Sequence, residues 1–201
     1  MRSTRRLTRP GQDGFTLIET LIVLAVIGIL ILITVPAFLS MLNRFKLTGT
    51  TREVAALMQA ARMEAIKQNN PTQVNYDATS NSFIAFIDVD RDNTLSAADK
   101  VLANKVPMPV KVDFWGPGDG AADGANAIDG WDDAPARLGP VFNADGSADR
   151  VGAFRFRDSN DNYLEVRVAT PATGRIILRK WDRTDLAFFQ NGEDSHQWEW
   201  Y

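Results

Sequence analysis

A run of 21 residues, Phe15 to Val35, constrains this chain more than any other feature. From Leu21 to Val35 it is apolar except for Gly28 and Thr34. As a helix rising ~1.5 Å per residue it would be ~31 Å long, matching a hydrocarbon core of ~30 Å. An ordinary secretory signal has an apolar core of only ~7–15 residues and ends in a small-x-small triplet. Here the run ends Ile33-Thr34-Val35-Pro36-Ala37-Phe38, with no such triplet. A membrane span over 15–35 is therefore expected. Arg2, Arg5, Arg6 and Arg9 precede it against Asp13 alone, a net charge of +3 over residues 1–14. The positive-inside tendency puts that end in the cytoplasm and the rest of the chain outside it.

Glu19 does not suit a plain anchor. A carboxylate in an apolar span costs about 2.5–3.5 kcal/mol near the centre and less near an end, so a partner is expected. If the chain is cut after Gly14, Phe15 gains a free amino group one helical turn away. The segment Gly14-Phe15-Thr16-Leu17-Ile18-Glu19 resembles the leader junction of type IV pilins and type II secretion pseudopilins. That resemblance implies a prepilin leader over 1–14, cleaved after Gly14 by a prepilin peptidase that also methylates Phe15. It implies that Glu19 pairs with a neighbour's N-terminus during assembly. Pro36 matches the proline that closes the apolar run in many members. Lacking an N–H and crowding the carbonyl of Leu32, it predicts a kink or local melting.

Beyond Pro36 the helical pattern resumes. Leu47, Val54, Leu57, Met58, Ala61 and Ala65 share a stripe ~100° wide, and Asn69-Asn70-Pro71 stops it. One N-terminal helix over 15–70 is expected, followed by a head over 71–201. In the head the period changes to two, predicting strands over 73–76, 82–88, 100–106, 110–114, 153–158, 163–169 and 175–181. Residues 115–139, rich in Gly, Asp, Ala and Pro, read as a long exposed loop. Asn143 to Ser147 reads as a turn. The fold class is α+β: a long helix, transmembrane then amphipathic, packed on an antiparallel β-rich head, as in type IV pilins.

The last third is similar to the GspH/FimT minor pseudopilins. The resemblance rests on Val141-Phe142-Asn143-Ala144-Asp145-Gly146-Ser147, Phe154-Arg155-Phe156, Leu164-Glu165-Val166-Arg167-Val168 and Thr173-Gly174-Arg175-Ile176. It implies a minor subunit of a secretion pseudopilus or a type IV pilus, with other pilins as partners. The implied location is the bacterial inner membrane, single-pass, with a periplasmic head. The tail over 182–201, with Trp198, Trp200 and Tyr201, departs from that pattern. It either folds back on the head or docks on a partner.

Two constellations carry chemistry. Asp88 to Asp99 follows the spacing of a calcium-binding EF-hand loop. Its oxygens would come from Asp88, Asp90, Asp92, the Thr94 carbonyl, Ser96 through water, and Asp99, since calcium takes 6–8 oxygen ligands. Asn93 stands where glycine is usual and Asp99 where glutamate is usual, and strands flank the loop. The bland alternative is a solvated turn. The second constellation is Arg155, Arg157, Arg167, Arg175 and Arg179, which alternation turns away from the core, with Glu165 among them. They form a basic patch on a head whose chain after residue 14 carries a net charge of −6. Some pilin relatives bind DNA during uptake, so phosphate contact is the alternative function. The chain has no cysteine and one histidine, His196. It has no recognisable catalytic triad, paired catalytic carboxylates or phosphate loop. An enzyme is not expected, nor a small-molecule substrate.

Overall fold

The structure, a computed structural model, describes residues 15–102, 105–117, 127–131 and 138–193. Helix α1 runs from Leu17 to Gln68 and is unbroken at Pro36, so the local melting expected there is absent. Thr16 caps its start: its side-chain oxygen accepts the Glu19 N–H at 3.3 Å. Asn69 closes the other end in the left-handed region, φ 53°, while Asn70 N–H reaches back to the Ala65 carbonyl at 3.3 Å. Asparagine tolerates that conformation and satisfies a carbonyl the helix end would orphan.

The chain divides into two compact units, residues 1–39 and 40–201. In the first, every described residue from Phe15 to Leu39 is exposed. The second holds the rest of α1 and two antiparallel sheets. Sheet one has the order β3-β2-β1-β7, from Lys100–Val101, Ser82–Ile87, Thr72–Asp77 and Val141–Phe142, and β4 (Val106–Pro107) also pairs with β2. Sheet two has the order β11-β10-β9-β8-β5, from Ala187–Phe189, Arg175–Asp182, Tyr163–Thr170, Gly152–Asp158 and Val112–Phe114. A further strand, β6 (Ile128–Asp129), also pairs with β8.

The core lies between the α1 stripe and the sheets. Leu47, Val54, Leu57, Met58, Ala61 and Ala65 are all buried, as the helical period predicts. From the sheets, Val74, Phe83, Phe154, Phe156, Leu164, Val166 and Val168 join them. The Phe83 ring lies 4.9 Å from Phe154 and 5.5 Å from Phe156. The two sheets therefore meet through aromatic contacts, which stabilise beyond the area they bury.

Three expectations need correction. The strand over 100–106 is two short strands at opposite ends of β2: Phe86 pairs with Val101 but Phe83 with Val106. Three residues of β2 therefore match five of its neighbour, and the excess breaks the ladder. The strand over 110–114 starts only at Val112, because Lys111 is left-handed and Val112 N–H turns back to the Pro109 carbonyl. The stretch over 115–139 is not an exposed loop throughout. Ile128 and Asp129 pair with Phe154 and Ala153, and Trp131 is buried against Phe154 and Gly152. A Cβ on Gly152 would stand 2.3 Å from the Trp131 indole, so glycine creates the seat for that ring. Of the two readings of the tail, the first holds for its described part: the stretch from residue 182 contributes β11, and its Phe188 is buried, so this part folds onto the head. Trp198, Trp200 and Tyr201 lie outside the described residues.

Candidate functional site

Three features could carry function: the apolar end of α1, the acidic loop and the arginine face. Along α1, Phe15 is 82% exposed, and Gly28 has no neighbouring atom within 4 Å of a would-be Cβ. So long an exposed apolar surface is untenable in water and marks a membrane or protein contact. Among the described residues, α1 is the one helix long and apolar enough to cross a membrane. Glu19 sits in the first turn, where a carboxylate favours the positive end of the helix dipole. Thr16-Leu17-Ile18-Glu19 is a capping-box sequence. The observed half of that box is the Thr16 hydroxyl oxygen accepting the Glu19 N–H. Gly14 lies outside the described residues.

The acidic loop joins β2 to β3. Oxygens of Asp88, Asp90 and Asp99 lie within 4.8 Å of one another. Asp88 is buried and accepts the N–H groups of Asp92 at 3.2 Å and Asn93 at 2.9 Å. Asp99 accepts those of Val89 at 2.9 Å and Ser96 at 2.7 Å. Asp90 is exposed, yet local desolvation, then the charges of Asp92 and Asp99, push its carboxyl above the ordinary value. Asp92 is not in the converging group; hydrogen bonds from the Thr94 side chain and then from its N–H, at 2.7 Å, lower its pKa. Asn93 adopts the left-handed backbone, φ 61°, that glycine would usually supply. Ser96 donates its hydroxyl to Asp90 at 3.3 Å. Three carboxylates and the Ser96 hydroxyl could hold a hard cation, and Asp92 is not among the converging oxygens.

The arginine face is an ion-pair ladder rather than an open basic patch. Across β8, β9 and β10, Arg155, Glu165 and Arg179 lie opposite one another in register. Glu165 is fully buried, with Arg155 at 3.2 Å and Arg179 at 3.3 Å. Asp129 of β6 takes both Arg155 at 2.9 Å and Arg167 at 3.1 Å. Arg157 pairs with Asp113 at 3.0 Å and stacks over Trp115. The Phe188 ring lies over Arg155, and its carbonyl accepts from Arg179. Arg175 alone of the five is exposed. Alternation placed these side chains correctly on one face, but the neutralising Asp129 and Asp113 come from segments distant in sequence.

Gly174, in the Thr173-Gly174-Arg175 segment, is left-handed, φ 57°, and a Cβ there would stand 2.4 Å from the Gly146 carbonyl. That carbonyl also accepts Arg62 Nε of α1 at 2.8 Å. The turn over 143–147, the 174 turn and the helix are thus locked at one point.

The family model described as type II transport protein GspH matches residues 50–174. The chain belongs to that family. The GspH match runs from residue 50 of α1 through β9 and stops before β10, and a second model, the prokaryotic N-terminal methylation motif, matches residues 9–35. A fimbrial protein of Pseudomonas aeruginosa is 39% identical over 73 residues, 33% of this chain and 47% of the relative. The type IV major alpha-pilin of Moraxella bovis is 36% identical over 70 residues, 35% of this chain and 44% of the relative. The chain thus spans about half the length of the curated relatives it matches. The minor pseudopilin EpsH of the Vibrio cholerae type 2 secretion system aligns at 11% identity and TM-score 0.43, over 66% of this chain and 95% of that one.

Proposed function

We propose that this GspH-family chain is a minor structural subunit of a type II secretion pseudopilus or a type IV pilus. A single apolar helix holds it in the inner membrane and assembles it into the filament. Its N-terminus faces the cytoplasm and its head the periplasm. The observation that carries this reading is the exposed apolar surface from Phe15 to Leu39, directly after a methylation-type junction. Such a helix is anchored by lipid before assembly and covered by neighbouring helices afterwards. The leader is removed by prepilin peptidase, leaving a methylated Phe15. Intact-mass measurement of the protein from its native membrane tests this. Loss of residues 1–14 with one added methyl group is expected, and a mature terminus elsewhere refutes the processing step.

A second reading concerns the acidic loop, which we assign to calcium because Asp88, Asp90 and Asp99 already converge. The cation would relieve carboxylate repulsion and brace the β2–β3 hairpin. DNA binding through the arginine face has weaker support. Four of its five arginines face carboxylates, leaving Arg175 as the open charge. Salt-sensitive duplex binding by the head, lost on Arg175→Glu, is what that alternative requires.

A further inference from the structure

We propose that the cleft between the β1–β2 turn and strand β5 binds a neutral sugar unit of a polysaccharide. Such binding goes beyond a filament role and needs only the folded head. The cleft has a volume of about 420 Å³, within the ~300–1,000 Å³ range of ligand sites. Tyr76 of β1 and Asn81 of the turn form one wall. Asp113 and Phe114 of β5, Trp115 just after it and Arg157 of β8 form the other. These walls are fixed before any ligand arrives. The Tyr76 ring packs on Phe114 at 4.5 Å, and Phe114 stands edge-on to buried Phe83 at 5.2 Å. Trp115 N–H donates to the Arg155 carbonyl at 3.1 Å, carrying the β5–β8 ladder one residue further. The Arg157 guanidinium lies over the Trp115 ring, 5.0 Å from its centre. Side chains already held by packing lose little freedom on binding.

Core packing alone does not account for these side chains. Phe83, Phe154 and Phe156 are fully buried, but Tyr76, Phe114 and Trp115 are only half-buried. Arg157 pairs with Asp113 at 3.0 Å, yet the Asp113 side chain is 56% exposed, where an ion pair stabilises a fold little. Asp161 stands 3.8 Å from the same guanidinium, so the cleft has no net positive charge to draw an anion. What the Asp113–Arg157 pair does offer is an acceptor beside a donor. A hydroxyl both donates and accepts. Of two adjacent sugar hydroxyls, one can donate to Asp113 while its neighbour accepts from Arg157. On the facing wall the Tyr76 hydroxyl donates to Asn81 Oδ1 at 2.6 Å. That leaves the tyrosine oxygen as an acceptor and the Asn81 amide nitrogen as a donor, again side by side. The aromatic faces carry negative charge density, which suits the C–H face of a sugar ring. An apolar ligand would leave the polar groups unpaired, and an anion would meet Asp113 and Asp161.

Calorimetric titration of the full-length protein, in a detergent without a sugar headgroup, tests this. The probes are chitotetraose, cellotetraose and maltotetraose, with tetragalacturonate and oligothymidylate as anionic comparisons. At least one neutral tetrasaccharide should bind, and more tightly than either anion. Trp115→Ala removes a ring from the wall, and Asp113→Asn removes the charged acceptor while keeping its shape. Each should weaken that binding roughly tenfold or more, the loss expected for a hydrogen bond to a charged group. Arg175→Gln, at the exposed start of β10, should leave it unchanged. Thermal unfolding shows whether each variant is folded. Should Trp115→Ala melt early, Asp113→Asn decides alone, since Asp113 is exposed. The assignment is overturned if no neutral tetrasaccharide binds, if an anion binds more tightly, or if Asp113→Asn leaves the affinity at the wild-type value.

Discussion

At the scale of single residues, Glu165 shows how environment overrides formal pairing. Its carboxylate lies against Arg155 and Arg179 with no exposure. Burial nonetheless raises its pKa above the ordinary 4.5, outweighing the arginines that pull it down. Desolvating an ion is that expensive. A raised carboxyl pKa means that the folded head holds the proton more tightly than the unfolded chain. The resulting stabilisation is complete below about pH 4.5 and is lost as pH climbs through the folded value. Glu165→Gln removes this term, so the stability of wild type relative to the variant should decline as pH rises from 4.5 toward neutrality. Chemical denaturation of both proteins across that range measures it. A difference that grows with pH would mean that the arginines, not burial, dominate the site.

At the scale of elements, the β2–β3 connection is the segment whose behaviour a ligand can change. Its ends are pinned by the pairing of Phe86 with Val101 and Ile87 with Lys100. Between them Asp88 and Asp99 are engaged by backbone N–H groups, so the loop has a fixed form before any cation arrives. A ligand bound only by the folded head stabilises it, by about 2.7 kcal/mol at 100-fold excess over its dissociation constant. Calcium should raise the melting temperature of residues 40–201, and magnesium should do so less, because it keeps its waters. Asp90→Ala combined with Asp99→Ala should erase the calcium effect and leave the sheets folded. Equal midpoints in chelator, calcium and magnesium, with no heat of binding, would reduce the loop to an ordinary acidic turn.

At the scale of the whole molecule, an exposed apolar helix and a self-sufficient head divide the labour. The core residues of α1 begin at Leu47, and the exposed run stops at Leu39. The exposed apolar run and the core of the head therefore draw on different residues. Glu19 lies in the first turn of α1, within the exposed apolar run. Glu19→Ala should leave the protein membrane-bound at wild-type level and lower its recovery in sheared filaments several-fold. Fractionation of membranes and filaments reads both. Wild-type incorporation would rule out an assembly role for Glu19.

The sequence by itself determined the long helix, its two halves and the α+β class. These depend on local periodicity and on a run of apolar residues too long for anything but a membrane-scale helix. The inward set Phe154, Phe156, Leu164, Val166 and Val168 was legible for the same reason, since a strand alternates its faces with period two. Only the tertiary structure decided that Trp131 packs on Gly152, that β3 and β4 both pair with β2, and that the Phe188 ring lies over Arg155. It also decided the charge of that face. Arg155 and Arg167 stand far in sequence from Asp129, and Arg157 from Asp113, so no window along the chain could pair them. Local pattern reports which way a side chain points; what it meets there is set by long-range packing.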